Sequence, residues 1–263
     1  MVGGVPWLLR SPDEAHAGLR QLVLVRHGES MGNLADADAR RRRAGRLELD
    51  VRDADVELSP TGAEQAEAVG RYLAALGDDE RPTEVLASPF RRAAATASTA
   101  LAAGGLDLPL LVDERLRERD LGAFDGLTAD GIREAFPAEA QQRGKVGKFY
   151  YRPPGGESWC DVALRVRTVL ADLRQPTTSA RVWVFTHQAV IMSFRLVLEH
   201  LSEHDVLEAD RSTPVANCSL TVYRTDADGA LSLARYGDTA AVDRVPAPVT
   251  REAPSSDAAD AAS

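Results

Sequence analysis

Two histidines in this chain stand directly after short apolar runs: His27 follows QLVLVR, in RHGES, and His187 follows RVWVFT, in THQAV. Apolar, β-branched runs of this length read as buried strands. Open α/β sheets place their ligands outside the carboxyl ends of such strands. One histidine there reads as a structural hydrogen-bonder; two in matching positions can converge in one crevice. Their neighbours suggest what they would meet. Arg26 precedes His27, Asn33 lies on the following turn, and Arg91 and Arg92 follow Ser88. Arginine presents a planar fork of donors suited to phosphate oxygens, and helix starts add partial positive charge. Gly28 is expected to let an anion approach the main chain. The chemistry these residue types suit is the handling of a phosphoryl group.

The elements that must position them follow from periodicity and punctuation. Residues 21–25 read as the first strand. Residues 34–57 are charge-rich and read as a surface helix or loop. Thr61 with Glu64 resembles a capping box opening a helix, with Ala66, Val69, Leu73 and Leu76 at helical spacing and Gly77 as its stop. Residues 83–87 read as a strand. Ser88-Pro89 reads as the start of a helix reaching Ala103, and 108–112 as a third strand. A loop over 114–126 precedes a short helix over 128–136. Residues 141–157 are basic, aromatic and glycine-rich. A helix over 158–173 puts Val162, Val166, Val169 and Leu170 on one face. A strand over 181–185 leads into an apolar helix over 188–201, and 218–223 with 231–235 read as a hairpin pair. Strands alternating with helices imply an α/β fold, a mostly parallel sheet covered on both faces. Residues 1–20 read as an N-terminal arm, 21–245 as one domain, and the Ala-, Ser-, Pro- and Asp-rich stretch 246–263 as a disordered tail.

Composition narrows the partners. With 263 residues the chain is long enough for a sizeable core. Its net charge of −9 disfavours nucleic acid and anionic lipid, so an anion site must be locally basic. Cys160 and Cys218 are too few for a disulfide framework and not at metal-ligand spacing, which reads as reduced thiols in a cytoplasmic protein. No apolar run reaches membrane-spanning length, and the first residues lack the pattern of a signal peptide. The run at 40–43 reads as a salt-bridged surface helix rather than a nucleic-acid patch, given the acidic residues after it.

RHGES with Asn33, SPFRRAAATA (88–97), LRERDLGAFDGL (116–127), GGES (155–158) and THQAV (186–190), in that order, resemble the histidine phosphatase superfamily in its phosphoglycerate-mutase-like branch. The resemblance implies a three-layer αβα sandwich. It also implies roles: His27 as the nucleophile that becomes phosphohistidine, Arg26, Asn33, Arg92, Ser30 and Gln188 as phosphate ligands, Glu118 as general acid, and His187 as the second histidine holding the transferring group. By itself, Glu118 in a charged loop reads first as a surface carboxylate. Neighbouring cations should keep His27 neutral and nucleophilic. The resemblance implies neither metal nor cofactor.

The branch divides by what accepts the phosphoryl group. Met31-Gly32, the FYYRPPGGES segment, Gln188 and STPVANCSL resemble fructose-2,6-bisphosphatase domains more than mutases, which points to a phosphatase of a small phosphorylated metabolite. A 2,3-bisphosphoglycerate-dependent mutase stays the alternative, and a silent phosphate-binding module the remote one. Lys148, Tyr151 and Arg152 are candidate substrate contacts in a lid, or else members of a solvated loop. Glu157 is expected to brace the pocket through an arginine or to sit on a helix dipole. Oligomeric state stays open, a homodimer included.

Overall fold

A computed structural model describes residues 18–173, 180–226, 229–243 and 248–251. Most of the expected N-terminal arm, and 252–263 of the expected tail, lie outside the described residues.

Among the described residues six strands form one sheet: β1 (Gln21–Arg26), β2 (Glu84–Ala87), β3 (Leu110–Val112), β4 (Arg181–Thr186), β5 (Leu220–Thr225) and β6 (Leu231–Asp238), in spatial order β3-β2-β4-β1-β5-β6. The pairings β3–β2, β2–β4 and β4–β1 are parallel; β1–β5 and β5–β6 are antiparallel. The helices are α1 (Met31–Arg42), α2 (Pro60–Ala74), α3 (Arg91–Ala103), α4 (Ala129–Ala135), α5 (Pro137–Val146), α6 (Trp159–Leu173), α7 (Gln188–Leu198) and α8 (Glu203–Ser212).

The period-2 alternation of the strands builds two cores. Leu22, Leu24, Val182 and Val184 face one way and pack with Val162, Val166, Val169 and Leu170 of α6 and with Val190, Ile191 and Phe194 of α7. Val23, Val25, Trp183 and Phe185 face the other way, onto Ala68, Val69 and Leu73 of α2 and Ala97, Ala100 and Leu101 of α3. The result is the expected three-layer αβα sandwich.

Several boundaries differ from expectation, each for a local reason. Helix α2 is capped by Ser59, whose hydroxyl accepts from the Gly62 N–H, with Pro60 in the first turn; the Thr61–Glu64 box is not the cap. Proline's fixed φ suits that first position and shifts the start upstream. Helix α3 begins at Arg91 without a side-chain cap, because Phe90, which has no side-chain acceptor, holds the cap position in place of Ser88. Part of 141–157 is helical, the end of α5, and α8 was not expected at all. The tail expected from Pro246 is not without structure at 248–250: Gln65 Nε2 donates to the Pro248 carbonyl (2.8 Å), and Asn217 N–H to the Thr250 carbonyl (2.9 Å). The arginines at 40–42 pair with Asp36, Asp38 and Glu48, the salt-bridged helix that the charge pattern implied.

Candidate active site

Strands β1 and β4 run parallel with Arg26 opposite Thr186, so the next residue of each, His27 and His187, emerges at the same edge. The His27 N–H donates to the Thr186 carbonyl (2.9 Å) and extends the ladder by one bond. The two rings lie 5.1 Å apart, centroid to centroid, at 59°. Both side chains are buried.

Hydrogen bonding decides which nitrogen does what. His27 Nδ1 lies 2.7 Å from the Gly28 carbonyl, which can only accept, so Nδ1 carries the proton and Nε2 keeps a lone pair. His187 Nε2 lies 2.8 Å from Ser88 Oγ. That hydroxyl also accepts from the Phe90 N–H (3.2 Å), and its own proton is free to go to His187 Nε2 in the tautomer that keeps the ring hydrogen on Nδ1. His187 Nδ1 then bears a hydrogen, and it has no partner among the described residues. A buried orphan donor of this kind fits a phosphoryl oxygen.

Both imidazoles are held well below the ordinary histidine range. Burial is the main cause for each, reinforced at His27 by the charges of Arg92 and Arg26, and at His187 by Arg92, His27 and Arg26. Each is therefore neutral at physiological pH.

The cations are themselves anchored. Arg26, 1% exposed, donates through Nη1 to Gln188 Oε1 (2.9 Å) and to the Val215 carbonyl (2.6 Å). Arg92 stacks over Phe90 (5.2 Å), whose ring in turn meets His187 edge-on (5.3 Å). Thr96 links Arg92 to the histidine loop, accepting from the Gly28 N–H (3.0 Å) and donating to the Arg92 carbonyl (2.7 Å). Arg91 is turned away, paired with Glu57 on the surface.

Gly28 serves a purpose other than the one expected. A Cβ there would lie 2.5 Å from the Gly62 carbonyl, and a Cβ on Gly62 would lie 1.9 Å from the Glu29 carbonyl. The space beside Gly28 is taken by the first turn of α2, not reserved for an anion. Ser30 and Asn33 form a reciprocal capping box at the start of α1: Asn33 Oδ1 accepts from the Ser30 N–H (3.1 Å), and Ser30 Oγ accepts from the Asn33 N–H (3.2 Å). Any contact of Asn33 with an anion therefore falls to its amide nitrogen.

Glu118 is half-buried on the segment after β3, with Oε1 accepting from the Arg119 N–H (2.8 Å). That segment is tied to the histidine edge: Thr186 Oγ1 donates to the Leu116 carbonyl (2.8 Å). Glu157 braces it through arginines, as the first of the two expectations had it. Its carboxylate takes Arg117 (2.6 Å) and Arg165 (3.0 Å) and accepts from the Asp120 N–H (3.1 Å).

Four expected ligands are engaged within the protein. Gln188 accepts from Arg26 and donates to Asp210 (2.9 Å), so it bridges two charged groups rather than standing ready for phosphate. Lys148 pairs with Asp210 (3.2 Å) and lies over Trp159. The Tyr151 hydroxyl donates to Glu139 (2.7 Å), and Arg152 Nε donates to Asp161 (2.8 Å). The expected substrate contacts thus have carboxylate partners of their own, because α5, α6 and α8 bring acids to each.

Sequence reasoning missed four residues that support the site. Ser88 sits on His187. Asn217 donates its amide to the His27 carbonyl (2.9 Å). Asp210 holds Gln188. Asp53 grips Arg92. Each is distant in sequence from its partner; the SPFRR segment that Ser88 opens and the TPVAN segment around Asn217 carried a signal, and Asp53 and Asp210 had none.

A covered, mostly parallel sheet with paired neutral imidazoles and arginines at its carboxyl edge frames a site for a phosphoryl group. The family model of the histidine phosphatase superfamily, branch 1, matches residues 22–239, and the chain belongs to that superfamily. It is 35% identical over 214 residues to a 2,3-bisphosphoglycerate-dependent phosphoglycerate mutase of Methylobacterium radiotolerans, covering 80% of this chain and 91% of that protein. It is 32% identical over 172 residues to a probable fructose-2,6-bisphosphatase of Schizosaccharomyces pombe, 65% of this chain but 36% of the yeast protein's length. Among solved structures, a mycobacterial glucosyl-3-phosphoglycerate phosphatase superposes with a TM-score of 0.63 at 28% identity, covering 83% of this chain and 99% of the other. No helix among the described residues is long and apolar enough to cross a membrane.

Proposed function

We propose that the protein hydrolyses the phosphomonoester of a small phosphorylated metabolite through a phosphohistidine on His27. The observation that carries this reading is the His27–His187 pair: two buried, neutral imidazoles 5.1 Å apart, one with its Nδ1 proton committed to Gly28. His27 Nε2 attacks phosphorus as the bond to the ester oxygen breaks. Glu118 gives its proton to the departing oxygen. A water then attacks phosphohistidine, giving one proton to the Glu118 carboxylate and its hydroxyl to phosphorus, and the N–P bond breaks to release phosphate. Arg26, Arg92 and the Nδ1–H of His187 neutralise the charge that spreads over the equatorial oxygens. Asn33 adds its amide.

Turnover of p-nitrophenyl phosphate tests the activity, and quenching during turnover of a phosphorus-labelled monoester tests the intermediate. Label on His27 that survives base and is lost in acid is expected, with none in His27→Ala. Turnover without such label defeats the mechanism.

The similarity to phosphoglycerate mutases supports a second reading, phosphoryl return to a sugar acid. Conversion of 3-phosphoglycerate to 2-phosphoglycerate, dependent on 2,3-bisphosphoglycerate, would establish it. The two cysteines and the acidic composition accord with a cytoplasmic enzyme that engages neither nucleic acid nor membrane.

A further inference from the structure

Arg92 is 5% exposed and couples to both imidazoles, yet one edge of its guanidinium is occupied by this chain. Nη1 donates to the Asp53 carbonyl (2.6 Å) and to Asp53 Oδ1 (2.9 Å), while Nη2 donates to Asp53 Oδ2 (3.2 Å). This is a bidentate carboxylate on an arginine expected to hold phosphate. Asp53 belongs to a single 3-10 turn, Asp53–Asp55, and its side chain is 40% exposed, so the carboxylate sits where the buried arginine meets solvent.

A second acid stands near it. Asp125 closes the Gly122–Phe124 turn. Its carboxyl is pushed up, first by burial and then by the charge of Asp53, with Arg92 acting in the opposite direction. The cations that would receive a second anionic group are neutralised where they stand, Lys148 on Asp210 and Arg152 on Asp161. Two carboxylates, Asp53 and Asp125, thus stand beside Arg92 above the basic floor.

We propose that Asp53 sets the charge of the leaving group: by holding the outer edge of Arg92 it makes the site favour monoesters whose alcohol carries no second negative charge, and turns away bisphosphates and phospho-carboxylates. The inference rests on the hydrolase reading above and narrows it. A dianionic phosphoryl group reaches the buried donors of Arg26, His187 and the remaining edge of Arg92. A further anion on the leaving group meets Asp53 and Asp125 instead of a free guanidinium edge. Neutral polyol leaving groups meet acceptors for their hydroxyls.

Glycerol 3-phosphate and 3-phosphoglycerate make a matched test, since they differ in a hydroxymethyl against a carboxylate. Wild type is expected to favour glycerol 3-phosphate in kcat/KM by about tenfold or more, the effect of one like charge at close range. Asp53→Asn should shrink that ratio about fivefold or more, and 0.5 M salt should shrink it in wild type as well. Asp125→Asn, which leaves the Arg92 pair intact, should move the ratio the same way by a smaller factor and serves where Asp53→Asn does not fold. A wild-type preference for 3-phosphoglycerate overturns the proposal. So does equal slowing of both substrates in Asp53→Asn, which would make Asp53 only a support for Arg92. Turnover of p-nitrophenyl phosphate separates the two levels. If it is present while the ratio stays fixed, only this inference fails; if it is absent, the hydrolase reading fails and takes this one with it.

Discussion

Arg26 and Thr186 are register partners on adjacent parallel strands, and that pairing sets His27 beside His187. The rings touch a common space because two strands, far apart in the chain, end level with one another. The same closeness has an electrostatic consequence, since each imidazole resists a proton that would sit in a buried site beside Arg92 and Arg26.

Acid should therefore destabilise the fold through these histidines. Their folded-state affinity for protons is below the unfolded value of about 6.5, so between the two the unfolded chain binds more protons. Stability is fully present above pH 6.5 and falls as pH drops below it, by about 1.4 kcal/mol per pH unit for each histidine. Urea midpoints for wild type and His187→Gln at pH 7.5, 6.5 and 5.5 should show the steeper fall in wild type. Parallel curves would mean that His187 binds a proton as readily in the native state as in the unfolded chain.

Glu118→Gln should slow esters with poor leaving groups more than p-nitrophenyl phosphate, because an alkoxide needs the proton and nitrophenolate does not. A loss of about 10²–10⁴ in kcat for alkyl esters is expected. Steady-state rates across leaving groups check it, and uniform slowing would remove Glu118 from the role of acid.

Asn217 is fully buried and bridges the His27 carbonyl to the Thr250 hydroxyl (3.0 Å). Asn217→Ala leaves that carbonyl without its side-chain donor, a loss of about 1–3 kcal/mol, and should lower kcat with it. Thermal unfolding and turnover together test this. Thr250→Val is expected to cost less, since the Asn217 amide keeps its bond to His27.

Gly62→Ala forces a methyl to within 1.9 Å of the Glu29 carbonyl, backbone against backbone. Overpacking of this kind costs about 1–3 kcal/mol or more and should lower Tm by about 2–4 °C for each kcal/mol in a chain of this size. The displaced loop carries His27, so activity should fall as well. A variant with unchanged Tm would show that α2 can retreat from the loop.

Much of this was legible from residue order. Alternation in QLVLV and RVWVF named the buried strands, the spacing of Val162, Val166, Val169 and Leu170 named α6, and five motifs in order named the superfamily. What failed was local competition. Ser59-Pro60 and Thr61 with Glu64 are both plausible helix starts; Pro60 suits the first helical position, and the first turn it opens packs Gly62 against Glu29. Helix α8, with mean apolar content too low to stand out, is held by Val206 against the core and by Asp210 against Gln188.

Residue order by itself determined that this chain builds a layered α/β protein with an imidazole at the end of each of two buried strands, because strand burial and side-chain alternation are properties of neighbouring residues. Tertiary structure decided which charges remain available to a substrate. Asp53 on Arg92, Asp210 on Lys148 and Asp161 on Arg152 are pairings set by the docking of separate turns and helices. Coulomb interactions depend on distance in space, and no spacing along the chain encodes that.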